Sequence, residues 1–210
     1  MSLKCGSAPT WLLIGNKLKK IGEGALMSKK TVMTDIKTLR SHARKHIEQG
    51  AVTAGYTADR TQVLKLLNEA LATETVCVLR YRRHHFMARG IHAKGIANEF
   101  LVHSNQEQGH ADQIAERIVQ LGGEPDFAPD TLTSRSHAEY VAGNTLVEMI
   151  KEDLVAERIA IDSYREMIQY LGDQDTTTSD MLKVILAVEE QHADELADLL
   201  AEKPTENFSN

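Results

Sequence analysis

Cysteine is almost missing from these 210 residues. Cys5 and Cys77 are too few for a disulfide framework and form no C-x-x-C pair, which excludes a disulfide-built scaffold and a paired-thiol zinc site. A reducing cytoplasm is the compartment this implies. Aromatic residues make up only 5%, and four prolines and thirteen glycines interrupt a text otherwise rich in straight-chain helix formers. That scarcity points away from sheet and towards helix. Long apolar runs are also lacking: the early Trp11-Leu12-Leu13-Ile14 is far too short to cross a bilayer, and Lys17, Lys19 and Lys20 follow it instead of preceding it. Neither a signal peptide nor a membrane anchor is expected. What remains is a chain 42% hydrophobic, long enough to bury one substantial core.

Charge is unevenly spread. Residues 1 to 50 hold 10 Lys/Arg against 3 Asp/Glu, leaving 14 against 27 in residues 51 to 210, or +7 in front of −13. A basic arm of this kind reads either as a solvated tail or as an attractor of nucleic-acid or membrane phosphates, and an acidic body attracts cations. The expected organisation is a flexible basic leader over 1–33, a short helix and linker over 34–55, a helical bundle over 56–203 and a tail over 204–210. Met27-Ser28-Lys29-Lys30 also reads as an alternative start of the chain.

Four long helical stretches follow from the spacing of apolar residues. The first runs from about Asp59 to Arg89 with Val63, Leu66, Leu67, Leu71 and Val78 at helical spacing, and the second from about His92 or Ala93 to Gln120, stopped by Gly122-Gly123 and Pro125. A long connection leads to Ser136-x-x-Glu139, whose capping-box pattern predicts a third helix over about 137–171. Gly172 closes it, and a fourth is expected over about 177–202. Two short links flanking one long one predict an all-α four-helix bundle of two antiparallel hairpins, with the long link as a crossover; an up-down bundle with a loose loop fits the length too.

The chain writes Glu-x-x-His-Ala-Asp twice, as "EQGHAD" at 107–112 and "EEQHAD" at 189–194. Residues three apart share a helix face, so Glu107 with His110, and Glu189 with His192, can each grip one ion through an oxygen and a nitrogen. A single such pair occurs by chance on many solvated helices. Here each pair has a partner: Glu74 and Glu157 sit in otherwise apolar stretches, 33 and 32 residues ahead of Glu107 and Glu189, and each has a tyrosine seven positions on, Tyr81 and Tyr164. The chain is a concealed duplication.

Folding the hairpins about a pseudo-two-fold axis brings four carboxylates and two imidazoles together at mid-bundle. Four glutamates in an apolar interior cost several kcal/mol each unless protonated or compensated. Two divalent cations cancel the four charges. Carboxylate and imidazole donors without thiolate suit iron or manganese, with zinc as a further occupant, and six ligands on two ions leave positions open for an oxidant. A metal-free core in which the six satisfy one another is the structural alternative. Outside the set, Asp153 is placed to hold the far nitrogen of a ligating histidine, and Tyr81 to donate to a glutamate or supply an electron, with Tyr164 as its counterpart. His85 and His103 either line a path for iron or are ordinary helix histidines, and Arg80-Tyr81-Arg82-Arg83-His84-His85 reads as solvated or as a subunit contact.

Over about residues 60 to 200 these motifs resemble the ferritin-like superfamily, and within it bacterioferritins, through "ATETVCVLRY", "EQGHAD", "EDLVAE" and "ILAVEEQHAD". The resemblance implies a ferroxidase centre with two Fe per subunit that oxidises Fe(II) with O2 or H2O2, in a homo-oligomeric, iron-storing shell of 12 or 24 chains or fewer. It further implies Glu74 and Glu157 as terminal carboxylates, Glu107 and Glu189 as bridges, and His110 and His192 as caps.

The chain departs from that pattern in places. Gln108 stands where the haem-ligating methionine would be, so no haem is expected. The stretch from Pro204 to Asn210 is too short for the fifth helix of 24-chain shells. The extra segment at 35–49 and the basic leader resemble miniferritins that coat DNA, although those hold iron between subunits. Two other activities therefore accompany ferroxidation with storage: a non-storing di-iron or di-manganese oxidoreductase that handles peroxide, and protection of DNA through the basic arm.

Overall fold

A computed structural model describes residues 33–91 and 93–201, with the backbone of 11–14 and 17–20. The chain divides into two compact units, Met1–Leu39 and Arg40–Asn210. In the first, Trp11–Ile14 and Lys17–Lys20 pair as an antiparallel ribbon, with Trp11 opposite Lys20. Of the rest of the expected leader only Met33 is described, and the 204–210 tail lies outside the described residues. The segment expected over 35–49 comprises helix α1 (Ile36–His42) and a 3-10 turn over Ile47–Gln49.

The second unit is the bundle: α2 (Arg60–Met87), α3 (Ala93–Gln120), a one-turn α4 (Leu132–Arg135), α5 (Leu146–Leu171) and α6 (Thr176–Ala201). Helix α2 starts where Asp59 accepts a hydrogen bond from the Gln62 amide at 3.2 Å. At the foot of α6, Asp175 accepts from the Thr178 amide (3.0 Å), from Arg117 of α3 (2.8 Å) and from the Tyr56 hydroxyl (2.9 Å), tying the two hairpins together. Helix α2 packs on α3, α5 on α6 and α2 on α5.

The crossover is fixed by a ladder of contacts that climbs α2. The Asp126 amide donates to Asn68, the His137 amide to Thr73, Arg80 to the Glu139 carbonyl, and His84 Nε2 meets the Ala142 carbonyl. The connection therefore travels the bundle's length and delivers α5 antiparallel to α2.

This ladder overturns the predicted start of the third helix. Residues 137–145 are not helical; Ser136 turns its hydroxyl onto the Ala138 carbonyl at 2.6 Å, and the capping box that forms is Thr145 with Glu148. Gly143 explains why: its φ of 60° is left-handed, and a Cβ there would lie 2.9 Å from the Met149 nitrogen. The carbonyls of Glu139 and Ala142, engaged by α2 side chains, are withdrawn from any helix.

Two large apolar clusters fill the bundle, and a small third one, Ala72, Val76 and Leu132, packs α2 against α4. One large cluster gathers Leu67, Leu71, Ile114, Ile118, Met167 and Ile185, the other Cys77, Phe100, Met149, Ile150 and Leu196. The duplicated polar residues fall between them along every helix, so each side of the polar layer is sealed by hydrocarbon.

Candidate metal centre

The structure brings together all six residues singled out by the duplication, and each is at most 5% exposed. Their donor atoms form two groups of four, Glu74–Glu107–His110–Glu189 and Glu107–Glu157–Glu189–His192, with the atoms of each within 4.8 Å of one another. Glu107 and Glu189 belong to both. His110 Nδ1 stands 2.8 Å from Glu189, 3.4 Å from Glu74 and 3.5 Å from Glu107. His192 Nδ1 stands 3.1 Å from Glu107, 3.6 Å from Glu189 and 3.8 Å from Glu157.

These atoms crowd without bonding. Glu74 Oε2, Glu107 Oε1, both Glu189 oxygens and both Nδ1 atoms are buried with no hydrogen-bond partner; even the 2.8 Å approach of His110 to Glu189 is misaligned for one. Buried polar groups are ordinarily satisfied, and leaving one unpaired costs about 1–3 kcal/mol. Six unpartnered donor atoms clustered this closely fit a pair of cations in both spacing and chemistry.

Without a cation, protons carry the neutralisation. Burial opposes charge on His110, but the carboxylates of Glu107, Glu189 and Glu74 outweigh it and push the imidazole up to about 12. Burial is outweighed at His192 too, where Glu107 and Glu189 lift the ring to about 9. Burial and the charge of Glu107 raise Glu74 to about 8, and burial with Glu107 and Glu189 drives Glu157 well above the carboxylate range. Although burial and their neighbours' charges oppose it, Glu107 and Glu189 stay below that range beside the imidazoles. The metal-free layer is thus two imidazoliums, two carboxylates and two neutral carboxyls.

The tyrosines knit the halves crosswise: Tyr81 of α2 donates to Glu157 of α5, and Tyr164 of α5 donates to Glu74 of α2. Two sequence expectations need correction. Asp153 does not hold a ligating histidine; it binds Arg80 Nε and His84 Nδ1, both at 2.8 Å, because α5 faces α2 at this height while His110 and His192 lie on α3 and α6. The run Arg80 to His85 is not simply solvated, since Arg80, Tyr81 and His84 are at most 1% exposed, with Arg80 neutralised by Asp153. His85, in the last turn of α2, meets the Ala97 carbonyl of α3 at 2.7 Å, and Gln108 is exposed and donates to Asp112.

Gln106 is a residue that sequence reading misses. Its Oε1 lies 3.1 Å from His192 Nε2, accepting that proton and leaving Nδ1 to bind a cation once its own proton is displaced. No pattern marks it, because its counterpart in the duplication is Val188.

The ferritin-like domain family model matches residues 64–204. A bacterioferritin of Mycobacterium leprae is 31% identical over 140 residues, covering 66% of this chain and 84% of that one. A nutrient stress-induced DNA-binding protein of a Nostoc species is 30% identical over 140 residues, covering 64% and 75%. Among solved structures, the dodecameric thioferritin of Bacteroides fragilis, described as bacterioferritin-related, superposes with a TM-score of 0.66 at 30% identity over 69% of this chain and 87% of that one. With its bundle matched over most of its length, and bacterioferritins among its relatives, the chain belongs to the ferritin-like family.

Proposed function

We propose that the protein is a ferroxidase, binding two Fe(II) per chain and oxidising them with dioxygen or hydrogen peroxide in the service of iron storage and detoxification. The observation that carries this reading is the pair of buried four-donor groups sharing Glu107 and Glu189, with six buried atoms that have no hydrogen-bond partner. Glu74 and Glu157 would each serve one ion, Glu107 and Glu189 would bridge, and His110 and His192 would cap. Manganese or zinc would suit the same donors. Two ferrous ions held together supply the two electrons that one molecule of hydrogen peroxide takes up as it becomes water. The chain's own contribution is to fix six donors, exclude water with hydrocarbon on both sides, and let protons leave as cations arrive. With dioxygen as oxidant, which takes up four electrons on its way to water, Tyr81, bonded to Glu157, would supply one beyond the two from iron.

Storage requires assembly into a shell, in the cytoplasm. Leu79 and Phe86 on α2 and Val147 and Val155 on α5 stay exposed, which supports association with further copies. A particle the size of a dimer would favour the non-storing peroxide-handling reading. The likeness to a DNA-binding relative supports a second reading, protection of DNA through the basic leader over 1–33; DNA retardation undiminished by deleting those residues would refute it.

The decisive experiment adds Fe(II) anaerobically, admits oxidant and follows ferric absorbance. Glu107→Ala and His192→Ala should each abolish the rapid phase with helical content intact. Unchanged rates would remove the proposal.

A further inference from the structure

One turn along the bundle from the centre, a second set of donors converges. Glu99 and His103 are four apart on α3, and Glu195 lies one turn beyond His192 on α6. His103 Nε2 stands 2.9 Å from Glu195 Oε2 and 3.5 Å from Glu99 Oε1, and the three donor atoms lie within 4.8 Å of one another. The ring is fully buried, whereas the glutamate side chains are 40% and 37% exposed. The group therefore has one face in the core and one in water.

His103 Nε2 meets Glu195 Oε2 at hydrogen-bond distance, while Nδ1 lies 3.3 Å from the Tyr81 hydroxyl. A cation at the triad would take the place of the proton between Nε2 and the carboxylate. The ring thus presents Nε2 to two carboxylates. Gln191 holds the other oxygen of Glu195 at 2.8 Å, turning Oε2 towards the ring. One nitrogen and two anionic oxygens, with a wet side for water to complete the coordination, form a site for a divalent first-row cation.

The site abuts the centre. The His103 ring stacks on the His192 ring with centroids 4.0 Å apart, and His103, Glu157 and His192 again present donors within 4.8 Å of one another. We propose that Glu99, His103 and Glu195 form a third cation site, a half-exposed station from which a divalent ion passes to the His192 side of the dinuclear centre. Its role as a station rests on the centre's reading as a metal site; binding at the triad does not.

The test counts Zn2+ ions bound per chain by equilibrium dialysis of the full chain. The E99Q/E195Q protein should bind one ion fewer than its parent, and E107Q/E189Q should lose ions from the centre while keeping one at the triad. Stopped-flow loading of the centre with Co2+, followed by its visible absorption, should slow roughly tenfold or more in E99Q/E195Q, as loss of an anionic entry would dictate. Equal zinc counts in parent and E99Q/E195Q overturn the site. One ion lost with an unchanged Co2+ rate overturns the station while leaving the site. If E107Q/E189Q matches its parent in zinc count, the dinuclear reading fails and the triad stands or falls by its own difference. Both glutamates are partly exposed, so the double variant should fold, as circular dichroism would verify; Glu99→Gln alone should weaken the third ion without removing it.

Discussion

Loading the centre with two zinc ions at pH 7 should release about four protons per chain, because metal ligands must be deprotonated to bind. The count comes from the metal-free layer. His110, pushed up to about 12, and His192, at about 9, each hold a proton at pH 7 that a cation displaces. Glu74, at about 8, and Glu157, driven well above the carboxylate range by burial, hold two more. Glu107 and Glu189 are already ionised and contribute none. Loading both ions should therefore weaken by about 10⁴-fold for each unit of acidification below pH 7. Above pH 9, where Glu74 and His192 have lost their protons, the release should be smaller. Titration calorimetry in several buffers of different ionisation enthalpy reads the number directly. Release of two or fewer protons at pH 7 would mean that the buried glutamates are ionised without metal, and would refute this assignment of protons.

Glu74→Gln tests the same layer through stability. The folded pKa of Glu74, about 8, exceeds its ordinary 4.5, so its contribution is fully present below 4.5 and is lost as pH rises through 8. The metal-free parent should lose a few kcal/mol relative to the variant between pH 5 and 9, read from urea midpoints after chelation. Asp153→Ala should cost about 3–5 kcal/mol by stranding the buried Arg80, with the dinuclear zinc count unchanged. Leu71→Ala, at a fully buried position, should cost about 2–5 kcal/mol in the same assay. Thr145→Ala should cost about 1 kcal/mol through loss of the α5 cap, whereas Ser136→Ala should leave helix content unchanged.

Much of the bundle was legible because apolar spacing and terminal signals agree. Asp59 opens α2, Gly172 closes α5, and the expected ends of α2, α3 and α6 fall within two residues of the observed ones. The third helix failed for a specific reason. Ser136 and Glu139 spell a capping box, but Gly143 favours a left-handed turn and α2 binds the carbonyls of 139 and 142, so tertiary contacts outweighed a local signal worth about 1 kcal/mol.

By itself the sequence determined that two Glu-x-x-His pairs and two isolated glutamates would share helix faces, because helical periodicity fixes which side chains point together and the duplication repeats the arrangement. Only the tertiary structure decided what those faces meet. The crossover sets α5 antiparallel to α2, which gives Tyr81 to Glu157, Tyr164 to Glu74 and Asp153 to Arg80, and brings His103 between Glu99 and Glu195. Contacts between helices depend on their relative height and rotation, which no spacing within one helix encodes.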